Sequence, residues 1–317
     1  MPKILVTGAS GFVGKSLIAE LFRQGYSICA AVRSTKSKIN NAEVVVVGEI
    51  DGKTDWTNAL RSVDVVIHLA ARVHVMKENF ANPLTEFRKV NVDGTQRLAK
   101  FASCMDVKRF IFISSVKVNG EFTKLDQPFT AKDAANPQDA YAISKYEAEQ
   151  GLMRIVEETA MEAVIIRPPL VYGEDVKANF GSLLRIIKRG IPLPLGATTK
   201  NRRSFVALDN LIDLIITCIN HPNAANQTFL VSDNEDVSTT DLLRKMVLAQ
   251  NVNNQLFSSC LIPVPVALLN LCAKLVGKQD IAQRLLGNLQ VDISHTQKML
   301  DWQPIISLDE GLRRTVG

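Results

Sequence analysis

The sequence predicts an α/β fold: a doubly wound parallel sheet followed by a smaller C-terminal α/β lobe. Three observations carry the prediction. The chain opens on strand, tight turn and helix, read from Lys3-Ile4-Leu5-Val6, a glycine-dense stretch ending at Gly14, and the SLIAELFRQG that follows. Apolar runs of strand length then alternate with segments of helical period as far as about residue 170. Beyond Gly173 the alternation becomes less regular. Residues 1–170 are therefore expected to form the first domain, and residues 171–317 a second lobe interleaved with late strands of the main sheet.

The first strand stops at T-G-A-S-G-F-V-G, Thr7 to Gly14. Gly8 can take backbone angles closed to other residues, Gly11 leaves room for a diphosphate beside the main chain, and Gly14 lets the helix pack closely on the sheet. Phe12 and Val13 complete the turn, where free amides and the positive end of the helix dipole face an anion. A dinucleotide is the ligand this turn implies.

Tyr26 to Val32 reads as the second strand. An acidic residue at its end would bond the adenosine ribose and repel a 2′-phosphate. Here Arg33 is followed by Ser34, Lys36 and Lys38, which tilts the expected cofactor from NAD toward NADP and leaves both open. Val44 to Val47 is the third strand, an apolar run suited to burial on both faces, and Glu49 and Ile50 after it are expected against the adenine. Asp64 to Ala71 is the fourth. Its exit, Leu69-Ala70-Ala71, ends in small residues that let a cofactor lie near the backbone, and His68 inside the strand is expected to be a packed structural histidine.

Phe87 to Ala102 has helical spacing and contains Asn91, which inside a buried helix needs partners and reads as an orienting residue. Arg109 to Ser114 is a fifth strand that delivers Ser114 and Ser115 at its carboxyl end. The polar loop Gly120 to Gln138 is long enough to border a substrate mouth. The helix beginning near Asp139 puts Tyr141 and Lys145, four apart, on one face. An ammonium beside a phenol favours the phenolate, so Lys145 is expected to lower the Tyr141 pKa.

The ordered set T-G-x-x-G-x-x-G, H-L-A-A (68–71), N-V-D-G-T (91–95), S-S-V-K-V-N-G (114–120), Y-A-I-S-K (141–145) and R-P-P-L-V-Y-G (167–173) resembles the extended short-chain dehydrogenases. Within them it is similar to the nucleotide-sugar epimerase/dehydratase family, from residue 3 to about residue 315. The resemblance implies a Rossmann-type sheet and an NAD(P)-dependent oxidoreductase acting at C4 of a UDP-activated hexose. By it, Ser115 bonds the reacting sugar oxygen, Tyr141 moves its proton, and Lys145 tunes Tyr141 and holds the nicotinamide ribose. Asn91 supports the site and Pro168 lies along the nicotinamide. Asn179 and Arg203 contact the nucleotide's phosphates and ribose, and Arg284 the diphosphate.

Two departures from the family pattern bear on the reaction. Sugar 4,6-dehydratases carry an Asp-Glu pair where this chain has Val116 and Lys117, so dehydration is not expected. Many 4-epimerases have Tyr where this chain has Asn119, which is expected on the substrate side. S-S-V-K-V-N-G-E is most like bacterial enzymes acting on UDP-activated N-acetylated sugars for surface polysaccharide. Two-way hydride exchange would make a 4-epimerase, and a single transfer from NADPH a 4-keto-6-deoxy-sugar reductase. A non-catalytic dinucleotide-sensing protein is the alternative from another class, and the presence of Ser115, Tyr141 and Lys145 together argues against it.

The chain has 317 residues and a formal charge of +5, but its basic residues are spread, and the groups at Arg185–Arg189 and Lys200–Arg203 are short. They suit a few phosphate contacts rather than nucleic acid. Five cysteines without a C-x-x-C pair argue against a disulfide framework or a metal site and suit a reducing compartment. The first strand begins at Lys3, so no signal peptide is expected. Leu261 to Val276, interrupted by Pro263, Pro265, Asn270 and Lys274, is too short to span a bilayer. No membrane insertion is expected, that segment reads as a buried or interface helix, and a cytoplasmic location follows. The resemblance also implies a homodimer through the helices at Phe87–Ala102 and Asp139–Glu158.

Overall fold

The computed structural model describes residues 1–73, 82–176, 178–250 and 261–316. In the first half, strands β1 (Lys3–Thr7), β2 (Ser27–Val32), β3 (Glu43–Val46), β4 (Val65–His68), β5 (Arg109–Ile113) and β6 (Glu162–Arg167) alternate with helical segments. Strands β7 (Leu170–Tyr172), β8 (Arg203–Ala207), β9 (Gln227–Leu230) and β10 (Asp236–Val237) follow. One seven-stranded sheet runs β3-β2-β1-β4-β5-β6-β9, parallel throughout. The strand order reverses between β1 and β4, and open α/β sheets bind ligands at such a point, outside the carboxyl ends of the strands.

Side chains alternate across a strand, and β1 feeds both faces of the sheet. Ile4 and Val6 pack with Leu17, Ile18 and Leu21 of α1 (Phe12–Arg23). Leu5 packs on the other side, with residues of α3 (Thr95–Cys104) and α4 (Ala140–Glu157) that follow α2 (Pro83–Arg88). Helices on both faces explain why β1, β2 and β4 to β6 read as nearly continuous apolar runs. Each fully buried Leu or Ile contributes about 1.5 to 3 kcal/mol.

β3 departs from the expectation of two-sided burial. It is the edge strand and pairs with β2 alone. Val45 and the following Val47 pack on the core, whereas Val44 and Val46 are 41% and 48% exposed. Nothing among the described residues covers that side of the edge.

The chain leaves the main sheet through Pro168-Pro169, and β7 enters a three-stranded sheet of order β10-β8-β7. Its core joins Tyr172, Phe180 of α5 (Ala178–Lys188), Phe205, and Leu243 and Met246 of a helix at Thr239–Ala249. That helix is α7, because α6 (Leu208–Asn220) precedes β9 and lies on the main sheet. The two parts are tied by a buried carboxylate. Asp233 accepts from the Tyr172 hydroxyl, the Ala207 amide and the Asn210 side chain, each at 2.7 Å.

The last helices are α8 (Val266–Leu275), α9 (Gln279–Leu286), α10 (Ser294–Leu300) and α11 (Leu308–Val316). The segment expected to be a buried or interface helix forms α8, in which no residue is buried. It lies outside the lobe core, and only Leu269 is packed against that core. No helix among the described residues is long and apolar enough to cross a membrane. Cys260 lies outside the described residues, and Cys29, Cys104, Cys218 and Cys272 are free.

Candidate active site

The glycine turn fills the crevice between β1 and β4 as its spacing requires. Gly8 has φ +67°, and a Cβ there would lie 2.8 Å from the Ala70 nitrogen. A Cβ on Gly14 would lie 2.3 Å from the Gly8 oxygen. The Gly11 amide closes the turn on the Gly8 carbonyl at 2.9 Å. Gly11 is also the N-cap of α1 and, lacking a side chain, leaves the first amides of the helix, Phe12 and Val13 among them, to an anion. This cradle fits a dinucleotide diphosphate.

His68 locks the wall of the crevice. Its Nδ1 lies 2.6 Å from the Thr7 hydroxyl, which also accepts from the Ala70 amide. His68 Nε2 lies 3.0 Å from the Thr95 hydroxyl, whose own proton goes to the Asn91 carbonyl, so Nε2 carries the ring hydrogen. Burial and the nearby Lys145 charge lower the imidazole to about 3. The histidine is neutral, fully partnered and structural, as expected.

Asn91 sits in a single π-helical stretch, Lys89–Gly94, between α2 and α3. Such widened turns re-aim side chains. Its amide accepts from the Arg72 N–H at 2.8 Å, donates to the Arg72 carbonyl at 3.0 Å, and donates to the Ser144 hydroxyl at 2.9 Å. It thereby ties the exit of β4, just past Leu69, Ala70 and Ala71, to α4. A Cβ on Gly94 would meet Ile50 at 2.7 Å, which fixes Ile50 against the same stretch. At the outer end of the crevice Arg33 and Glu49 form an exposed ion pair at 3.4 Å.

Ser115 leaves β5 and caps the short turn Val116–Val118, accepting from the Lys117 amide at 3.3 Å. Pro168 lies behind it and accepts from the Val116 amide at 3.0 Å. Asp139 caps α4 by accepting from the Ala142 amide at 2.7 Å, and Tyr141 follows in the first turn. The phenol rests edge-on to Phe87, with the Ser115 hydroxyl close enough to favour its ionised form. Lys145, one turn on, is buried, donates to the Ile113 carbonyl at 2.6 Å and lies 3.9 Å from the centre of the Phe112 ring.

The electrostatics of this trio differ from the expectation. Burial, and then the Asp139 carboxylate, push Tyr141 up to about 12, with the nearby Ser115 hydroxyl acting the other way. Burial lowers Lys145 to about 7. Desolvation of two closely packed groups outweighs the attraction that spacing alone suggested, so the phenol is protonated at neutral pH.

Asn119, expected on the substrate side, is buried with both ends of its amide engaged. It donates to the Thr130 carbonyl at 2.9 Å and accepts from Arg167 at 3.0 Å. Arg167 in turn clasps the buried Glu149 at 2.9 and 2.5 Å. Arg203 opens β8 and donates to the Gly287 carbonyl at 3.3 Å; burial lowers it to about 10, and no carboxylate pairs with it among the described residues. Arg284 is exposed on α9, one turn before Gly287. Asn179 falls in the first turn of α5, and its side chain lies outside what the structure describes.

Residues 4–232 match the NAD dependent epimerase/dehydratase family. A Vibrio cholerae protein named UDP-glucose 4-epimerase is 49% identical over 317 residues, covering 99% of this chain and 95% of its own. The chain belongs to the NAD dependent epimerase/dehydratase family. The fold is likewise that of UDP-glucuronic acid 4-epimerase from Bacillus cereus, solved in complex with NAD: TM-score 0.78, 20% identity, 99% of this chain and 97% of that one. UDP-glucose 4-epimerase from Thermotoga maritima, solved with UDP-glucose, gives 0.75 at 20% identity, over 99% and 97%.

Within this epimerase/dehydratase fold, the Lys117 ammonium is held by Asp139 and, at 3.2 Å, by Glu121. A cation so engaged stands where the dehydratase pattern has an acid. The spacing of Tyr141 and Lys145 did not reveal this Lys117–Asp139 pair, although an Asp two residues ahead of Tyr141, at the helix start, is a readable N-cap signal. The Glu149–Arg167 clasp joins residues 18 apart on different elements and has no local signature.

Proposed function

We propose that the protein is an NAD-dependent 4-epimerase of UDP-hexoses. The observation that carries the proposal is the hydroxyl pair of Ser115 and Tyr141, with buried Lys145 one turn below, beside a glycine cradle built for a diphosphate. Gly8, Gly11, Phe12, Val13 and Gly14 would hold the diphosphate of the dinucleotide. Arg33, Glu49 and Ile50 would hold its adenosine end, and Leu69, Ala70, Ala71, Lys145 and Pro168 its nicotinamide half. When bound, the dinucleotide supplies a reversible two-electron acceptor beside C4 of the sugar. Ser115 would orient the C4 oxygen, and Tyr141, reacting in its ionised form, would take the proton as the alcohol becomes a ketone and return it afterwards, so that the raised phenol must first be deprotonated for oxidation to start. Asn91 holds the helix under both through Ser144. Arg203, half-buried and with no carboxylate partner among the described residues, would receive the sugar-nucleotide diphosphate, with Asn179 and Arg284 as further contacts.

The family name and the named activity of the Vibrio relative support NAD and epimerisation. Arg33 spends part of its charge on Glu49, which weakens the reading toward NADP and toward a 4-keto reductase. The proposal extends to N-acetylated hexoses for surface polysaccharide and to a homodimer through α2, α3 and α4, both supported by the resemblance of the motifs. The test is interconversion of UDP-glucose with UDP-galactose, and of the N-acetylated pair, by purified protein without added cofactor. Tyr141→Phe should lower turnover by about 100-fold or more. Turnover that instead consumes NADPH, and only with a 4-keto sugar, would replace the epimerase by a reductase.

A further inference from the structure

The hairpin of α8 and α9 leaves three leucines of α8 on the outside, while Leu269, Leu285 and Leu286 pack on the lobe core. A surface helix ordinarily turns its apolar stripe to the core. In α8, Leu268, Leu271 and Leu275 follow the i, i+3, i+7 spacing of one stripe and are 48%, 55% and 78% exposed. Val276 and, on α9, Ile281 extend the same exposed apolar character. Polar residues flank the stripe: Asn270 and Lys274 line a groove of about 400 Å³ against Ala282, Gln283 and Leu286 of α9.

The hairpin is firmly built. Gly277 turns it with φ +64°, and the Lys278 amide closes the end of α8 on the Ala273 carbonyl at 2.8 Å. The segment leading into it is tied to the lobe, the Ile262 amide bonding the Leu193 carbonyl at 2.9 Å and the Gly196 amide the Ile262 carbonyl at 3.0 Å. Charge says what could cover the face. From Leu261 to Gln290 the sequence has three cations, Lys274, Lys278 and Arg284, and one acid, Asp280. A second copy seated on its twin across this face would bring like charges together. Nucleic acid would leave the leucines wet.

We infer that the α8–α9 hairpin docks the protein on an anionic lipid bilayer, Leu268, Leu271 and Leu275 entering the interfacial layer while Lys274 and Lys278 meet the headgroups. Exposed apolar side chains beside cations are the composition of helices that lie in the membrane interface rather than cross it. The long Lys stems let the ammonium groups reach phosphates while the leucines sit deeper.

The test is co-sedimentation of the full chain with vesicles of mixed phosphatidylcholine and phosphatidylglycerol, compared with phosphatidylcholine alone. The protein should pellet with the anionic vesicles and be released by salt. Lys274→Gln with Lys278→Gln should weaken partition on the order of thirtyfold. Changing Leu268, Leu271 and Leu275 together to Ser should abolish it, with the thermal melt by circular dichroism confirming that the variant is folded. Protein left in the supernatant with both vesicle types, or a folded leucine variant that pellets like the parent, overturns the proposal. So does a leucine variant that loses an oligomer seen without vesicles, which would assign the face to a second copy.

Discussion

The ammonium of Lys145 donates to the Ile113 carbonyl at 2.6 Å, deep under the Tyr141 turn, and burial lowers its pKa to about 7. In the unfolded chain the same group holds its proton to about pH 10. Between these values the unfolded state binds more protons, so stability rises with pH. Cys29 and Cys218, raised to about 11 and about 12, ionise first in the unfolded chain and reverse the trend above about pH 9. Thermal melts should therefore show stability climbing from about pH 7 to 9, by no more than about 1.4 kcal/mol per pH unit from this lysine. Lys145→Met should flatten that climb; an unchanged slope would show that Lys145 is not its source.

Besides pairing with Lys117, Asp139 serves two further groups at once, capping α4 and raising the Tyr141 phenol. The two effects separate in Asp139→Asn, because Asn caps a helix as well as Asp does. The variant should keep its melting temperature within a few degrees while the Tyr141 phenolate midpoint falls below about 12. A near-ultraviolet difference titration against Tyr141→Phe isolates that phenol. A midpoint that rises or stays put would remove Asp139 from the account of its pKa.

The clasp of Arg167 on Glu149 is the most deeply buried ion pair of the site's wall. Removing one member strands the other charge, which costs about 3 to 5 kcal/mol. Glu149→Ala should shift urea unfolding by that amount. Asn119→Ala, which takes away one neutral acceptor from Arg167 and one donor from the Thr130 carbonyl, should cost less, about 1 to 3 kcal/mol. Equal losses would mean that the carboxylate gives no more than the amide.

What could be read from sequence was what is local. The strand, glycine turn and helix at Lys3–Gly14 and the N-terminal start of α4 at Asp139 each depend on a few consecutive residues. His68 could be assigned to structure because it lies within a strand pattern. Burial could not be read. The rise of Tyr141 and fall of Lys145 depend on how deeply α4 sits on β5, and the occupation of Asn119 on Arg167 arriving from β6. Val44 and Val46 read as a core strand because position in a sheet, edge or centre, leaves no mark on four residues.

Arg33 and Glu49 meet at 3.4 Å on the rim where the adenosine end of a dinucleotide would lie. Both are exposed, so the pair itself adds little stability. Its consequence is for selectivity: a guanidinium already facing a carboxylate has less charge to offer a 2′-phosphate. Glu49→Gln should strengthen NADP binding on the order of tenfold and change NAD binding by no more than about threefold. Fluorescence titration of both reduced cofactors on the purified chain measures this directly. Adding Arg33→Ala to Glu49→Gln should cancel the gain, since the two changes act on one charge pair and are coupled. A gain that survives the loss of Arg33 would place the 2′-phosphate on Lys36 or Lys38 instead.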